Sequence, residues 1–314
     1  MYKRMLVPLD GSELSEVVFP YARELAGRLG LELILLHVHS PEEGEIAPLH
    51  RAYIEHKAEV IKCQLEEVQQ KTGIGSGSKV VQVRGELAEG YPAEEIIRYV
   101  EKNNIDLILL ATHGRSGIKR WIMGSVAEKV LQESSVPTWL VRAGVPEEIV
   151  HDKWPQRTML VPLDGSKLAE SVLPHVEALA KQRGSELVDV VLLRVCEPPV
   201  ILSDYPEATM ELSWEEHVQK EKEWAKEAGE RYLAGVEKRL SGAGLKVRSE
   251  VPLGRPIDEI IDYANRNPFN LIVLSTHGRT GITRWAYGSV ADKVLRSSCI
   301  PVLMIRAPGC VPGI

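Results

Sequence analysis

At 314 residues the chain is too long for one ordinary hydrophobic core and about right for two domains of the usual size. With 44% hydrophobic and 26% charged residues and few aromatics, its composition is that of a soluble globular protein, which excludes a disordered chain. The net charge of -6, with Lys and Arg interleaved among Glu and Asp, leaves no global positive field for a polyanion, so nucleic acid is not an expected partner.

In chain order, Met1 to Arg4 lead directly into an apolar run, Met5 to Leu9, with no stretch of signal-peptide length. No run of roughly 18 apolar residues occurs anywhere, so no membrane contact and a cytoplasmic address are expected. Asp10-Gly11-Ser12 ends the first strand, and Ser12 to Leu29 has helical spacing closed by Gly30. Leu33 to Val38 reads as a buried strand and Leu49 to Lys71 as a long amphipathic helix. A strand is predicted over Lys79 to Val83, a helix with Pro at its start over Pro92 to Lys102, and a buried strand over Leu107 to Ala111. A helix from Gly124-Ser125 to Gln132 and a last strand, Val136 to Val141, complete the unit.

The unit then repeats. Met5 to Ser12 recurs letter for letter as Met159 to Ser166, and Ala111 to Leu131 is echoed by Ser275 to Leu295. The first echo steps by 154 residues and the second by 164, so the second copy carries about ten extra residues, placed around Glu197 to Trp214. The second long helix is predicted over roughly Ser213 to Leu240 and the second last strand over Ile300 to Ile305. The domains are therefore set at 1–145 and 155–308, joined by a short ordered linker within Gly144 to Gln156. Strands buried on both faces and alternating with helices call for a parallel sheet with right-handed crossovers. Each copy is thus expected to be an α/β, Rossmann-like three-layer sandwich of five parallel strands. The four cysteines, Cys63, Cys196, Cys299 and Cys310, have neither CxxC spacing nor matching places in the two copies, so neither a disulfide framework nor a zinc site is expected.

Ligands of open parallel sheets bind beyond the carboxyl ends of the strands, where the strand order reverses. Two segments per copy reach that place: the turn at Asp10 or Asp164, and the glycine-rich loop from Ala111 to Ser125 or from Ser275 to Ser289. Gly114, Gly117 and Gly124 allow main-chain N–H groups to approach an anion, and Gly124-Ser125-Val126 opens a helix whose free amides and dipole favour negative charge. A nucleotide triphosphate is the natural occupant. Asp10 and Asp164 can accept hydrogen bonds from ribose or hold a Mg²⁺ shared with phosphates; the alternative is that they only cap the following helix, although Ser12 already offers that cap. Arg115 and Arg279 lean over the phosphates or stand solvated. His113 and His277 are read as hydrogen-bonding struts, Trp121 and Trp285 as packing residues, and His37, replaced by Arg194 in the second copy, as structural.

Val-Pro-Leu-Asp-Gly-Ser at a strand end, Leu-Leu-His-Val at Leu35 to Val38, Gly90-Tyr91-Pro92 and Thr-His-Gly followed by Gly-Ser together resemble the universal stress proteins, over both copies. That family's ATP-binding members carry Gly-x2-Gly-x9-Gly-Ser/Thr, matched here by Ala111, Gly114, Gly124 and Ser125 and by Ser275, Gly278, Gly288 and Ser289. The first motif position departs, being Ala or Ser in place of Gly, and is strained only if its φ is positive. The resemblance implies that Pro8, Leu9, Asp10, Val38, Val126 and Arg115 in one copy join these residues around an adenine nucleotide. Pro162, Leu163, Asp164, Val195, Val290 and Arg279 do so in the other, with Val38 and Val195 meeting adenine through their backbones and the aspartates meeting ribose.

The function expected is a stress-response module that binds ATP, ADP or AMP with Mg, with at most slow hydrolysis. No residue is placed as a general base and the Gly-x4-Gly-Lys-Ser/Thr loop is absent. Two alternatives stand: a nucleotide-free interaction protein of the same fold, and an adenylating enzyme of the related superfamily, although that group's Ser-Gly-Gly-x-Asp-Ser loop is missing. The resemblance also implies an intramolecular pseudo-dimer formed through the last strands. A homo-oligomer beyond that is compatible with the sequence and not dictated by it.

Overall fold

The computed structural model describes residues 2–72, 81–112, 123–142, 157–198, 214–267, 269–277 and 288–307. The predicted linker therefore lies outside the described residues, as do Lys79, most of the extra segment of the second copy and Cys310.

The first half runs β1 (Arg4–Leu9), α1 (Glu13–Glu16), α2 (Phe19–Leu29), β2 (Glu32–His39), α3 (Ala47–Thr72), β3 (Val83–Glu89), α4 (Pro92–Lys102), β4 (Leu107–Ala111), α5 (Ser125–Glu133) and β5 (Thr138–Val141). The second runs β6 (Arg157–Pro162), α6 (Leu173–Arg183), β7 (Val188–Leu193), α7 (Trp214–Gly242), β8 (Lys246–Glu250), α8 (Pro256–Arg266), β9 (Leu271–Ser275), α9 (Ser289–Ser297) and β10 (Val302–Ile305).

Three expectations shift. The helix predicted from Ser12 to Leu29 is broken after α1, because Pro20 in the first turn of α2 has no N–H to continue an earlier helix and favours a fresh start. Ser12 caps α1, its Oγ accepting from Ser15 N at 3.2 Å, and α2 ends at Gly30 in the left-handed region (φ 66°). The strand predicted over Lys79 to Val83 instead occupies Val83–Glu89. β3 pairs only with β2, so it is an edge strand, and its charged, half-exposed sequence hides it from a search for apolar runs. The last strands begin at Thr138 and Val302, each after a proline that has no N–H for a ladder.

All ten strands form one sheet in the order β3-β2-β1-β4-β5-β10-β9-β6-β7-β8. Every ladder is parallel except the central one, where β5 and β10 are antiparallel with Val302 opposite Leu140, Leu303 opposite Trp139 and Met304 opposite Thr138. Leu303 is the repeat counterpart of Trp139, so the two halves meet by the same strand at the same register, as in an isologous contact.

Alternation along the strands divides the interior. Met5, Val7, Leu33, Leu35, Leu107 and Leu109 pack with α2, α3, α6 and α7 on one face, and Leu6, Ile34, Leu36, Ile108 and Leu110 with α4, α5, α8 and α9 on the other. The halves also meet on the α2 and α6 side. There Gln182 Nε2 donates to the carbonyls of Tyr2 (2.9 Å) and Leu29 (2.7 Å), Tyr2 N donates to Gln182 Oε1 (3.1 Å), and the Tyr2 hydroxyl lies 2.7 Å from His175 Nδ1. Burial raises the Tyr2 pKa, so the phenol stays protonated and donates, and it lowers that of His175.

Candidate nucleotide-binding site

In each half the chain reverses direction across the sheet beside its first strand: β1 lies between β2 and β4, and β6 between β7 and β9. A cavity opens at the carboxyl ends of these strands in both halves, where such a reversal leaves a crevice.

The first cavity, about 190 Å³, is lined by Pro8, Leu9 and Asp10 after β1, Val38 from β2, Ala111 and Thr112 after β4, and Gly124, Ser125, Val126 and Ala127 at the start of α5. The second, about 750 Å³, is lined by Pro162, Leu163, Asp164, Val195, Ser275, Thr276, Gly288, Ser289 and Val290 in the same roles. Of the residues singled out in the sequence, these are brought together. Gly114, Arg115, Gly278 and Arg279 lie outside the described residues, as do His113, Gly117, Trp121 and Trp285.

The helix starts are open. Gly124 and Gly288 are the N-caps of α5 and α9, and among the described residues no side chain caps either helix. An uncapped first turn presents amide donors and the positive end of the helix dipole to the cavity it lines. Each N-cap glycine is itself held by a hydrogen bond from its N–H to a carbonyl across the loop, Gly124 to Thr112 at 2.9 Å and Gly288 to Thr276 at 2.8 Å. Their φ angles, -62° and -53°, are ordinary for any residue, so backbone conformation does not require glycine here. Among the described residues a Cβ added at Gly124 would meet only Thr112 O, at 3.6 Å, on the side of the cavity that Gly124 lines. Ala111 and Ser275 end strands and neither has a positive φ, so the departure at the first motif position carries no backbone strain.

The aspartates fasten their turns and line the cavities, while the serines that follow them take the first-turn amides. Asp10 Oδ1 accepts from Ser12 N at 3.0 Å and Ser12 Oγ at 2.6 Å, while Asp164 Oδ1 accepts from Ser166 N at 2.9 Å. These bonds hold the turns and leave both carboxylates on the cavity walls. Beneath the turns a matched support appears: Tyr53 donates to Glu16 Oε1 (2.9 Å) and Lys57 pairs with Glu16 (2.7 Å), and Tyr232 donates to Glu170 Oε1 (3.1 Å) and Arg239 pairs with Glu170 (3.1 Å). Burial, reinforced by the Glu170 carboxylate, raises the pKa of Tyr232 and keeps its phenol a donor.

The remaining residues fill in detail. His277 is a strut as expected, its Nδ1 3.0 Å from Thr276 Oγ1, and His37 is buried with Nδ1 3.0 Å from the Leu9 carbonyl. The sequence reading overlooked Thr112 and Thr276, whose carbonyls hold the N-cap glycines, and Pro92 and Pro256, which line the far walls. All four fall in or beside repeated motifs, Thr-His-Gly and Gly-x-Pro, which was the available signal. It noted Arg194 only as the replacement for His37, and passed over Cys196 and the 64% exposed Trp224; these three line only the second cavity and have no identical residue in the first copy. Among the described residues no three His, Cys, Asp or Glu side chains gather where they could hold a metal ion.

A crevice of this kind, made twice within one sheet by two matching parallel halves, defines a duplicated Rossmann-like α/β protein. The universal stress protein family matches residues 1–142 and 156–306, and the chain belongs to that family in tandem form. A universal stress protein of Mycolicibacterium smegmatis is 26% identical over 96% of both chains. One of Bacillus subtilis is 31% identical, and its whole length matches 45% of this chain. The solved structure of a universal stress protein from Archaeoglobus fulgidus superposes with a TM-score of 0.63 at 22% identity, covering 96% of this chain and 98% of that one, which bears on the fold. Among the described residues no helix is long and apolar enough to cross a membrane.

Proposed function

We propose that the chain is a cytoplasmic stress-response module that binds an adenine nucleotide, ATP or its di- or monophosphate, in each half. It signals through occupancy rather than turnover. The observation that carries the reading is the matched pair of cavities, each with a strand-end carboxylate on one wall and an uncapped helix start on the other. Phosphates fit the amides of Ser125 and Val126, or of Ser289 and Val290. Ribose fits Asp10 or Asp164, and adenine the backbone of Val38 or Val195. Gly114, Arg115, Gly278 and Arg279 close the phosphate end on the family motif.

Each cavity wall offers one strand-end carboxylate, already engaged in its own turn, so the residues present fit a Mg²⁺ that arrives on the phosphates better than one caged by protein. At most slow hydrolysis follows, because no side chain in the described part of either cavity is set as a base for water. The halves, taken as domains 1–145 and 155–308, act as an intramolecular pseudo-dimer about the β5–β10 contact.

Mass spectrometry of small molecules released from the purified, denatured protein, together with thermal melts with and without Mg-ATP, tests the proposal. Copurified adenine nucleotide or a ligand-dependent melt supports it. No nucleotide and identical melts overturn it in favour of a ligand-free scaffold.

A further inference from the structure

The two cavities differ at one corner. In the first half His37, on the strand next to Leu9, is buried against His50, with ring centroids 4.5 Å apart, and against Tyr53 at 6.0 Å. In the second half Arg194 follows β7 at the same place, and three residues before the matching tyrosine, Tyr232, stands Gly229 instead of His50. The arginine stem runs over Gly229, where a Cβ would come within 3.4 Å of Arg194 Cδ. Its guanidinium stacks on Tyr232, Cζ 4.8 Å from the ring centroid. Its Nη1 lies over Gly165, leaving no room for a side chain on a turn residue whose φ of 86° already disfavours one.

That guanidinium is half-buried, lines the cavity and has no ion pair or hydrogen bond among the described residues; its Nε is fully buried and unsatisfied. The carboxylates nearby are committed elsewhere, Glu170 to Tyr232 and Arg239, and Asp164 Oδ1 to Ser166 N. A planar donor fork on a cavity wall, its Nε buried without an acceptor and its Nη groups unpaired among the described residues, is an arrangement that an oxyanion completes. Asp164 and Arg194 flank the same turn. In crevices of this architecture a carboxylate at the strand end reads free ribose hydroxyls, whereas an arginine beside it accommodates a phosphate on the ribose.

We propose that the second cavity holds an additional anion subsite in which Arg194 takes a phosphate carried on the ribose, making this half selective for adenine nucleotides phosphorylated at the 2′ or 3′ position. This rests on the nucleotide reading above. The first cavity has no such fork, since His37 is turned into the packing of His50 and Tyr53, and it takes the unmodified ribose.

Titration calorimetry of the full chain with AMP, adenosine 2′,5′-bisphosphate and adenosine 3′,5′-bisphosphate tests the proposal and shows which ribose position is read. One site per chain should bind one of the bisphosphates at least about tenfold tighter than AMP, the factor that one charge-assisted hydrogen bond carries. The other site should show a ratio near one. In Arg194→Met, which keeps an apolar stem over Gly229 and removes the fork, the tenfold ratio should collapse. Arg194→Lys, which retains the charge, should keep part of it, and circular dichroism melts establish that the variants are folded. Equal affinities for AMP and both bisphosphates in the wild type overturn the proposal, as does a ratio that survives in Arg194→Met. If AMP and ATP bind without any ribose-phosphate preference, this inference alone falls; if no adenine nucleotide binds at all, the nucleotide reading falls with it.

Discussion

Replacing Gly124 or Gly288 with valine separates ligand binding from folding. The φ and ψ of Gly124, -62° and 146°, suit a β-branched residue, and among the described residues an added Cβ meets nothing closer than Thr112 O at 3.6 Å. Two opposing terms set the effect on the empty protein. Losing glycine at an N-cap costs about 1 kcal/mol, and the narrower unfolded ensemble returns about 0.4–1 kcal/mol. They nearly cancel, so the unliganded variant should melt within about 1–2 °C of wild type. In the presence of ligand the outcome differs. Saturation of one site at about 100 times its dissociation constant stabilises the folded state by about 2.7 kcal/mol, or roughly 4 °C for a chain of 314 residues that melts as one unit. The valine methyls project into the space where phosphate oxygens would approach the amides of Ser125 and Val126, and the shift from that half should vanish. Differential scanning fluorimetry with Mg-ATP in both single variants and the double variant reads both quantities. A variant that keeps the full ligand shift refutes the main-chain cradle, and an unliganded variant that collapses shows that the glycine serves the fold after all.

Three further outcomes follow from the same coordinates. Because burial lowers the folded pKa of His175 below its ordinary 6.5, the unfolded chain takes up protons first as pH falls. Stability contributed here is intact above about pH 6.5 and is lost as the pH drops from there toward the lowered folded value, and His175→Gln should flatten that part of a pH–stability curve. Tyr53→Phe and Tyr232→Phe each remove a hydrogen bond to a half-buried carboxylate and should each cost about 1 kcal/mol in chemical denaturation, with little change in the unfolding slope. Trp139→Ala empties a 3% exposed position at the centre of the β5–β10 contact and should cost about 3–5 kcal/mol, and a cost below about 1 kcal/mol would mean that this contact is marginal.

Most of the fold was legible because the signals are local and doubled. Apolar runs such as Leu107–Ala111 could only be buried strands, and Pro92 and Gly124-Ser125 mark helix starts that the structure places at the same residues. β3 was misplaced because an edge strand half exposed to water lacks the apolar run by which its neighbours are found. The residue-by-residue match of the two long helices was hidden for another reason. His37 and Tyr53 are 16 residues apart but Arg194 and Tyr232 are 38, so a single offset taken from the flanking motifs cannot align α3 with α7. Hence Arg194 in place of His37 could be read, but its partner change, Gly229 in place of His50, was invisible: the two compensate between a strand and a helix that contact only in three dimensions, and no motif spans both. The cavity walls from contiguous motifs, Pro8 to Asp10 and Gly124 to Val126, were legible because each is one short segment.

The antiparallel centre of the sheet has a consequence for how two sites can communicate. Strands of the first half run opposite to those of the second, so the carboxyl ends of β1 and β4 and those of β6 and β9 lie at opposite edges, and one ligand cannot bridge the two cavities. Both halves nevertheless contribute to one core cluster on each face of the sheet, and the Tyr2–Gln182–Leu29 bonds fasten them on the α2 and α6 side. A sheet with this much shared interior should unfold as one unit, in which case a ligand in either cavity stabilises both halves by mass action, without any change of shape passing between them. The arrangement therefore predicts a single melting transition that moves upward in two additive steps as the two sites fill. Two transitions, each answering to its own ligand, would show that the β5–β10 contact joins the halves without coupling their stability.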